Sequence, residues 1–129
     1  MEKTRVILDT NFLLLPGQSK IDIFEGIKKL MSKPYELCIY EQTIDELNKL
    51  ASNNKKDKPN AKVALSFIKQ KNLKTLHISS SKDDYLDSII AANATKTDIV
   101  CTQDRELKRM LKKKNVKVIT LRSHNIIEV

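Results

Sequence analysis

The chain holds only two cysteines, Cys38 and Cys101, and each falls inside an apolar, strand-like run. That placement argues against a disulfide framework or a cysteine metal site and reads as two buried free thiols in a cytoplasmic protein. Long apolar runs are missing as well. The stretch from 12 to 15 is far too short for the core of a signal peptide or for a bilayer span, so neither a leader nor a membrane partner is expected. No internal repeat and no low-complexity segment breaks the sequence, and its 129 residues suit a single domain, 1–129, with a core of its own. Acidic residues are in deficit: 16 Asp and Glu stand against 24 Lys and Arg, a formal net charge of +8. A surplus of that size favours polyanionic partners such as nucleic acid.

What is present alternates. The β-rich runs RVILD (5–9), YELCIY (35–40), DIVCT (98–102) and VKVITL (116–121), with a weaker LKTLHIS (73–79), are separated by segments whose apolar residues recur every three or four positions. Ile23, Ile27 and Leu30 mark the first of these segments, and Ile44, Leu47 and Leu50 the second. Val63 and Phe67 mark a third, Leu86, Ile89 and Ile90 a fourth, and Leu107, Met110 and Leu111 the last. Strand alternating with helix predicts an α/β domain with a mainly parallel sheet. Two helical segments separate the second and third strands, so one of them, expected to be 41–51, has to lie across the sheet edge. The polar stretch SNNKKDKPN (52–60) reads as a loop before a new helix.

In such a sheet every strand ends at one edge, each following helix starts there, and ligands bind in the crevice where strand order reverses. Asp9 ends the first strand, and Asp104 follows the fourth in CTQD. Glu46 lies within about two turns of the start of the helix after the second strand. Asp87 lies in the early turns of a helix expected to begin near Lys82. Singly, each has a plain explanation: a strand-end Asp forms turns, a helix N-terminus welcomes Asp104, and Glu46 can be a solvated helix residue. Gathered at one edge, they repel each other unless a cation or shared protons offset the charge. A divalent cation is the simplest offset, and all-oxygen ligation suits Mg²⁺ or Mn²⁺ over zinc. Within SKDDYLDSII, Asp83 and Asp84 sit at or before the helix start, as capping residues do, whereas Asp87 is followed at helical spacing by Ile90, Ala91 and Ala94. Asp84 is expected to act through water in the outer coordination sphere.

The segments VILDTNFLL, TIDELNKL, DSIIAANA and IVCTQDREL, in this order, resemble the PIN-domain ribonucleases over nearly the whole chain. The continuation LLLPGQSKIDIFEGI is similar to archaeal single-domain members related to the eukaryotic small-subunit rRNA-processing nuclease. The resemblance implies a three-layer α/β/α sandwich around a five-stranded parallel sheet in the order 3-2-1-4-5. It implies one or two metal ions held by Asp9, Glu46, Asp87 and Asp104, with Asn11 and Thr102 orienting those carboxylates by hydrogen bonds. It implies a metal-dependent endoribonuclease, with a role in rRNA processing, that leaves 5′-phosphate and 3′-hydroxyl ends. Gln103 stands where an Asn is common in the family, a departure expected to bear on substrate contacts more than on metal.

Arg105, Lys108 and Arg109 open the last helix beside the acidic edge, and Lys55, Lys56 and Lys58 fall in the polar loop, so these are the expected RNA contacts. Lys112, Lys113 and Lys114 close that helix, where the macrodipole alone accounts for them. The expected partner is single-stranded RNA. No zinc ribbon or added RNA-binding domain is legible, so recognition is expected from this domain, from a homodimer or from a protein partner. Rival readings remain. A toxin ribonuclease of a toxin–antitoxin pair would share the chemistry, whereas a catalytically silent RNA-binding module for ribosome assembly would have no need of four repelling acids. A haloacid-dehalogenase-type phosphatase wants a second Asp where this chain has Asn11, and a phospho-receiver wants an acidic pair that is not found. His77 and His124 lie outside all of these motifs.

Overall fold

The computed structural model describes residues 3–53, 55–78 and 84–129. Asp83, read above as a capping residue, lies outside the described residues. In chain order the elements are β1 (Thr4–Leu8), α1 (Thr10–Leu13), α2 (Leu15–Ser19), α3 (Ile23–Leu30), β2 (Tyr35–Tyr40), α4 (Glu41–Asn53) and α5 (Lys58–Gln70). They continue with β3 (Lys74–Leu76), α6 (Leu86–Asn93), β4 (Ile99–Cys101), α7 (Arg105–Lys113), β5 (Lys117–Arg122) and β6 (Asn125–Glu128). The sheet runs β3-β2-β1-β4-β5-β6, with the first five strands parallel and β6 antiparallel to β5. The expected five-stranded order is therefore present, with one added edge strand.

β1 lies at the centre of this sheet and shows why its sequence is apolar on both faces. Val6 and Leu8 belong to one core cluster and Ile7 to the other, and all three are fully buried. Each is worth roughly 1.5–3 kcal/mol in burial, and a strand covered on both faces reads as a continuous apolar run instead of an alternation. Ile7 pairs with Cys38 on one side and Val100 on the other, while Cys101 lies beside Leu8. The two cysteines are free and buried, as expected, and they point into different core clusters, so β1 and the sheet itself separate them.

On the first face, Ile23, Phe24 and Ile27 of α3 pack with Leu47 of α4 and Ala61 and Ala64 of α5. α4 follows β2 without a loop and packs chiefly against α5, so the two helices between β2 and β3 behave as a pair. The loop between them is shorter than 52–60: Lys58 already begins α5, with Pro59 in its first turn, where the missing amide does no harm. On the second face, Leu107 and Leu111 of α7, one turn apart, pack with Ile90 of α6 and Ala94 at its end.

The last described segment adds the strand that the periodicity did not show. Ser123 and His124, at φ 51° and 66°, form a two-residue turn between Arg122 and Asn125, and β6 folds back on β5. α3 then packs on β6: a Cβ on Gly26 would stand 2.6 Å from Ile126 Cγ1, so only glycine allows that approach.

Two further ties hold the ends of elements. Lys114 donates from its ammonium to the carbonyls of Ala91 at 2.5 Å and Ala94 at 2.9 Å, satisfying the open C-terminus of α6. At the amino edge of the sheet, Arg5 donates twice to Asp98, at 2.9 and 2.8 Å. Burial alone would raise the Asp98 pKa, but the Arg5 and Thr95 hydrogen bonds hold it below its ordinary value. No described helix is long and apolar enough to cross a membrane.

Candidate active site

At the opposite, carboxyl edge lies a cleft of about 220 Å³ lined by Asp9, Thr10, Asn11, Glu46, Tyr85, Leu86, Asp87 and Asp104. All four carboxylates singled out in the sequence line it, and β1 and β4, which carry Asp9 and Asp104 at their ends, are adjacent where strand order reverses. A larger hollow of about 480 Å³ opens at the amino edge around Arg5 and Asp98. Those two groups are already paired with each other, so the smaller cleft is the one with chemistry to offer.

Asp9 follows β1 and caps α1. Its carboxylate accepts the Thr10 amide at 2.8 Å and the Thr102 hydroxyl at 2.8 Å, and the residue is only 7% exposed. The DTN triplet is thus both a helix start and a cleft wall. Burial pushes the Asp9 pKa up to about 6; the Thr102 and Thr10 hydrogen bonds oppose the rise, and the charges of Glu46 and Asp104 add to it. The acids therefore do repel across the cleft.

Asp104 caps α7 by accepting the Leu107 amide at 2.9 Å, and its own amide donates to the Thr102 hydroxyl at 3.0 Å. Asp87 stands in the first turn of α6, which begins at Leu86, and accepts the Ser88 amide at 2.9 Å; Lys82, near which the helix was expected to begin, lies outside the described residues. The start at Leu86 follows from backbone geometry: Tyr85 is extended at φ −75°, ψ 142°, so it precedes the first helical turn. Glu46 projects from α4 and is exposed. Asp84 is exposed beside the cleft and is not among its lining residues.

Thr102 touches Asp9 as expected, whereas Asn11 acts on the loop: its side-chain oxygen accepts the Gln103 amide at 3.1 Å. The Gln103 side chain reaches across to β5. Its side-chain oxygen accepts from the Thr120 hydroxyl and the Leu121 amide, both at 2.7 Å, and its amide group donates to the Leu121 carbonyl at 3.2 Å. It staples the end of β4 to β5, which a sequence-local reading had no means of showing.

Of the expected RNA contacts, Arg105 is exposed at the head of α7, Lys108 is half-buried, and Arg109 pairs with Glu106. Lys55, Lys56 and Lys58 are exposed, and none lines the cleft. His77 pairs with Glu41 at 3.0 Å and is also outside the cleft. Sequence reasoning missed Tyr85 and Leu86 as cleft residues, because it followed the carboxylates and their hydrogen-bond partners.

The donor set is all hard oxygen, which suits Mg²⁺ or Mn²⁺. Among the described residues no three Asp, Glu, His or Cys side chains already form a metal-holding cluster. The fit rests on three other observations. Asp9 is a buried carboxylate facing two other acids, the Thr10 hydroxyl is buried without a hydrogen-bond partner among the described residues, and Glu46 is exposed. Each capping bond occupies one of about four lone-pair sites on a carboxylate, so Asp87 and Asp104 retain acceptor capacity.

Residues 6–124 match the family model described as PIN like domain. The ribonuclease VapC4 of Methanocaldococcus jannaschii is 30% identical over 128 residues, 97% of this chain and 95% of that protein. The rRNA-processing protein fcf1 of Schizosaccharomyces pombe is 29% identical over 94% of this chain, which spans only 60% of fcf1. Among solved structures, the PIN domain endonuclease Utp24 superposes with a TM-score of 0.77 at 29% identity, covering 95% of this chain and 88% of the other. VapBC2 from Rickettsia felis, bound to a promoter DNA fragment, shares the fold at a TM-score of 0.67 and 18% identity, over 92% of this chain and all of its counterpart.

Proposed function

Because the chain belongs to the PIN-domain nuclease family, we propose that it is a metal-dependent endoribonuclease whose working site is the four-carboxylate cleft. The observation that carries this reading is the gathering of Asp9, Glu46, Asp87 and Asp104 around one small hollow, with Asp9 buried against its electrostatic interest. An inert scaffold gains nothing from that arrangement.

Asp9, Glu46, Asp87 and Asp104 would hold one or two Mg²⁺ or Mn²⁺ ions, which supply positive charge for the phosphate and ease ionisation of the attacking water. The chain's own residues do the positioning. Thr102 fixes Asp9 and the backbone of Asp104 through one hydroxyl, and Asn11 holds the intervening loop. Buried Leu8 and Cys101 seat the strand ends from below. Arg105, at the mouth of α7, is placed to meet the phosphate backbone, with Lys108 one turn along.

RNA is the substrate class, as the names of VapC4 and fcf1 suggest, and rRNA processing is the role favoured by the likeness to fcf1. A toxin ribonuclease would use the same cleft. The test is incubation with single-stranded and structured RNA in Mn²⁺, Mg²⁺ or chelator. Cleavage is expected with either ion, none with chelator, and none by the Asp9→Asn protein. Cleavage by Asp9→Asn at the wild-type rate would remove the site assignment.

A further inference from the structure

Among the described residues, Tyr85 is the aromatic most exposed to solvent. The sequence has three Tyr, three Phe and no Trp. Phe12 is fully buried, Tyr40 and Phe24 are 1% and 7% exposed, and Phe67 and Tyr35 pack against the core, whereas Tyr85 is 78% exposed. It occupies the N-cap of α6 without making a side-chain cap, at a position that Ser, Asp or Asn fills better. It lines the same cleft as the four carboxylates, two residues before Asp87.

The cleft has a second peculiarity. Its ionisable lining groups are carboxylates, apart from Tyr85 itself, so a phosphate would be met there through the ions those carboxylates hold. The base beside that phosphate needs a grip of its own. A nucleobase offers a π-face, and stacking on an aromatic ring serves every base alike. That face is available only when the base is unstacked, since a duplex covers it with neighbouring pairs.

We infer that Tyr85 is a stacking platform for a nucleobase beside the bond to be cut, and that it makes the cleft prefer single-stranded RNA. This rests on the endoribonuclease reading above. Tyr85 acts as a positioning residue for the substrate and takes no part in proton transfer.

The test uses short single-stranded RNAs with 2-aminopurine at each position in turn, in Ca²⁺ to suppress cleavage. Wild-type protein quenches the probe at one position; Tyr85→Ala abolishes the quench and weakens binding roughly tenfold. Tyr85→Phe restores both, because the ring and not the hydroxyl does the stacking. The same RNA annealed to its complement binds wild type and Tyr85→Ala alike. An unchanged quench and affinity in Tyr85→Ala, or no binding of single strands by wild type, overturns the inference. Cleavage in Mn²⁺ is scored separately: quenching without cleavage by wild type would overturn the nuclease reading and leave the stacking platform standing.

Discussion

The Thr102 hydroxyl donates to the Asp9 carboxylate at 2.8 Å, across 93 positions of sequence, and accepts the Asp104 amide at 3.0 Å. A hydroxyl has one proton to give, so the Asn11 oxygen 3.4 Å away is a neighbour and not a second acceptor. One atom thus sets the spacing of two acids carried by adjacent strands. Thr102→Val removes both bonds from a fully buried site. It should cost about 1–3 kcal/mol and lower kcat/KM at least tenfold, while Thr102→Ser restores most of both. Urea melts and cleavage kinetics on the three proteins check this; a Val variant with native kinetics would show that Thr102 is only a packing residue.

Asp9 gives the protein a pH dependence of known sign. Its pKa is about 6 in the fold, against an ordinary 3.8, so folding favours the neutral form. Its contribution to stability is complete below about pH 4 and is lost as pH rises through the folded value. Asp9→Asn should therefore match wild type near pH 4 and exceed it by about 2 kcal/mol at pH 8, with chelator present. Adding Mn²⁺ should raise the Tm of wild type more than that of the variant. A stability gap independent of pH would contradict the assignment.

The Arg5–Asp98 pair predicts the reverse trend. The Asp98 pKa is lowered in the fold, so its stabilisation is present above the ordinary carboxylate value and is lost as pH falls through the folded one. Arg5 is 35% exposed in its side chain, so water screens part of the attraction. Asp98→Ala should cost about 2 kcal/mol at pH 7 and much less at pH 3, with cleavage per folded molecule unchanged, because the pair lies at the far edge. Denaturant melts at both pH values decide it.

The cations separate by what already engages them. Arg105→Ala, or neutralising Lys55, Lys56 and Lys58 together, should weaken RNA binding and flatten its dependence on salt. Neutralising Lys112 and Lys113 should do much less, since both lie in the last turn of α7. Fluorescence anisotropy in Ca²⁺ across a salt series measures the slopes; a larger loss from the lysines would place the RNA path at the other end of the domain.

Much of this was legible in the sequence because it is local or periodic. Ile7 between two apolar neighbours announced a buried strand, and Asp9, Glu46, Asp87 and Asp104 could be placed at one edge from topology alone. β6 escaped because its turn is built from Ser123 and His124 in left-handed conformations, without the Asn-Gly or Asp-Gly that signals such turns. Leu86 was not legible as the start of α6 because Tyr85, the residue before it, is no capping residue. The bonds of Gln103 were not legible because its partners, Thr120 and Leu121, come from a strand 17 and 18 residues away. Exposure is a property of the folded surface, so Tyr85 carried no mark in the sequence.

The tie between Lys114 and the end of α6 reaches further than its own contacts. α6 and α7 each begin at the cleft with an acid, Asp87 on one and Asp104 as the cap of the other, and pack against each other. With 8 and 9 residues they are arms of about 12 to 14 Å, joined at the far end by this one ammonium. The far ends of two acid-bearing helices are thus held together by a side chain that meets neither carboxylate.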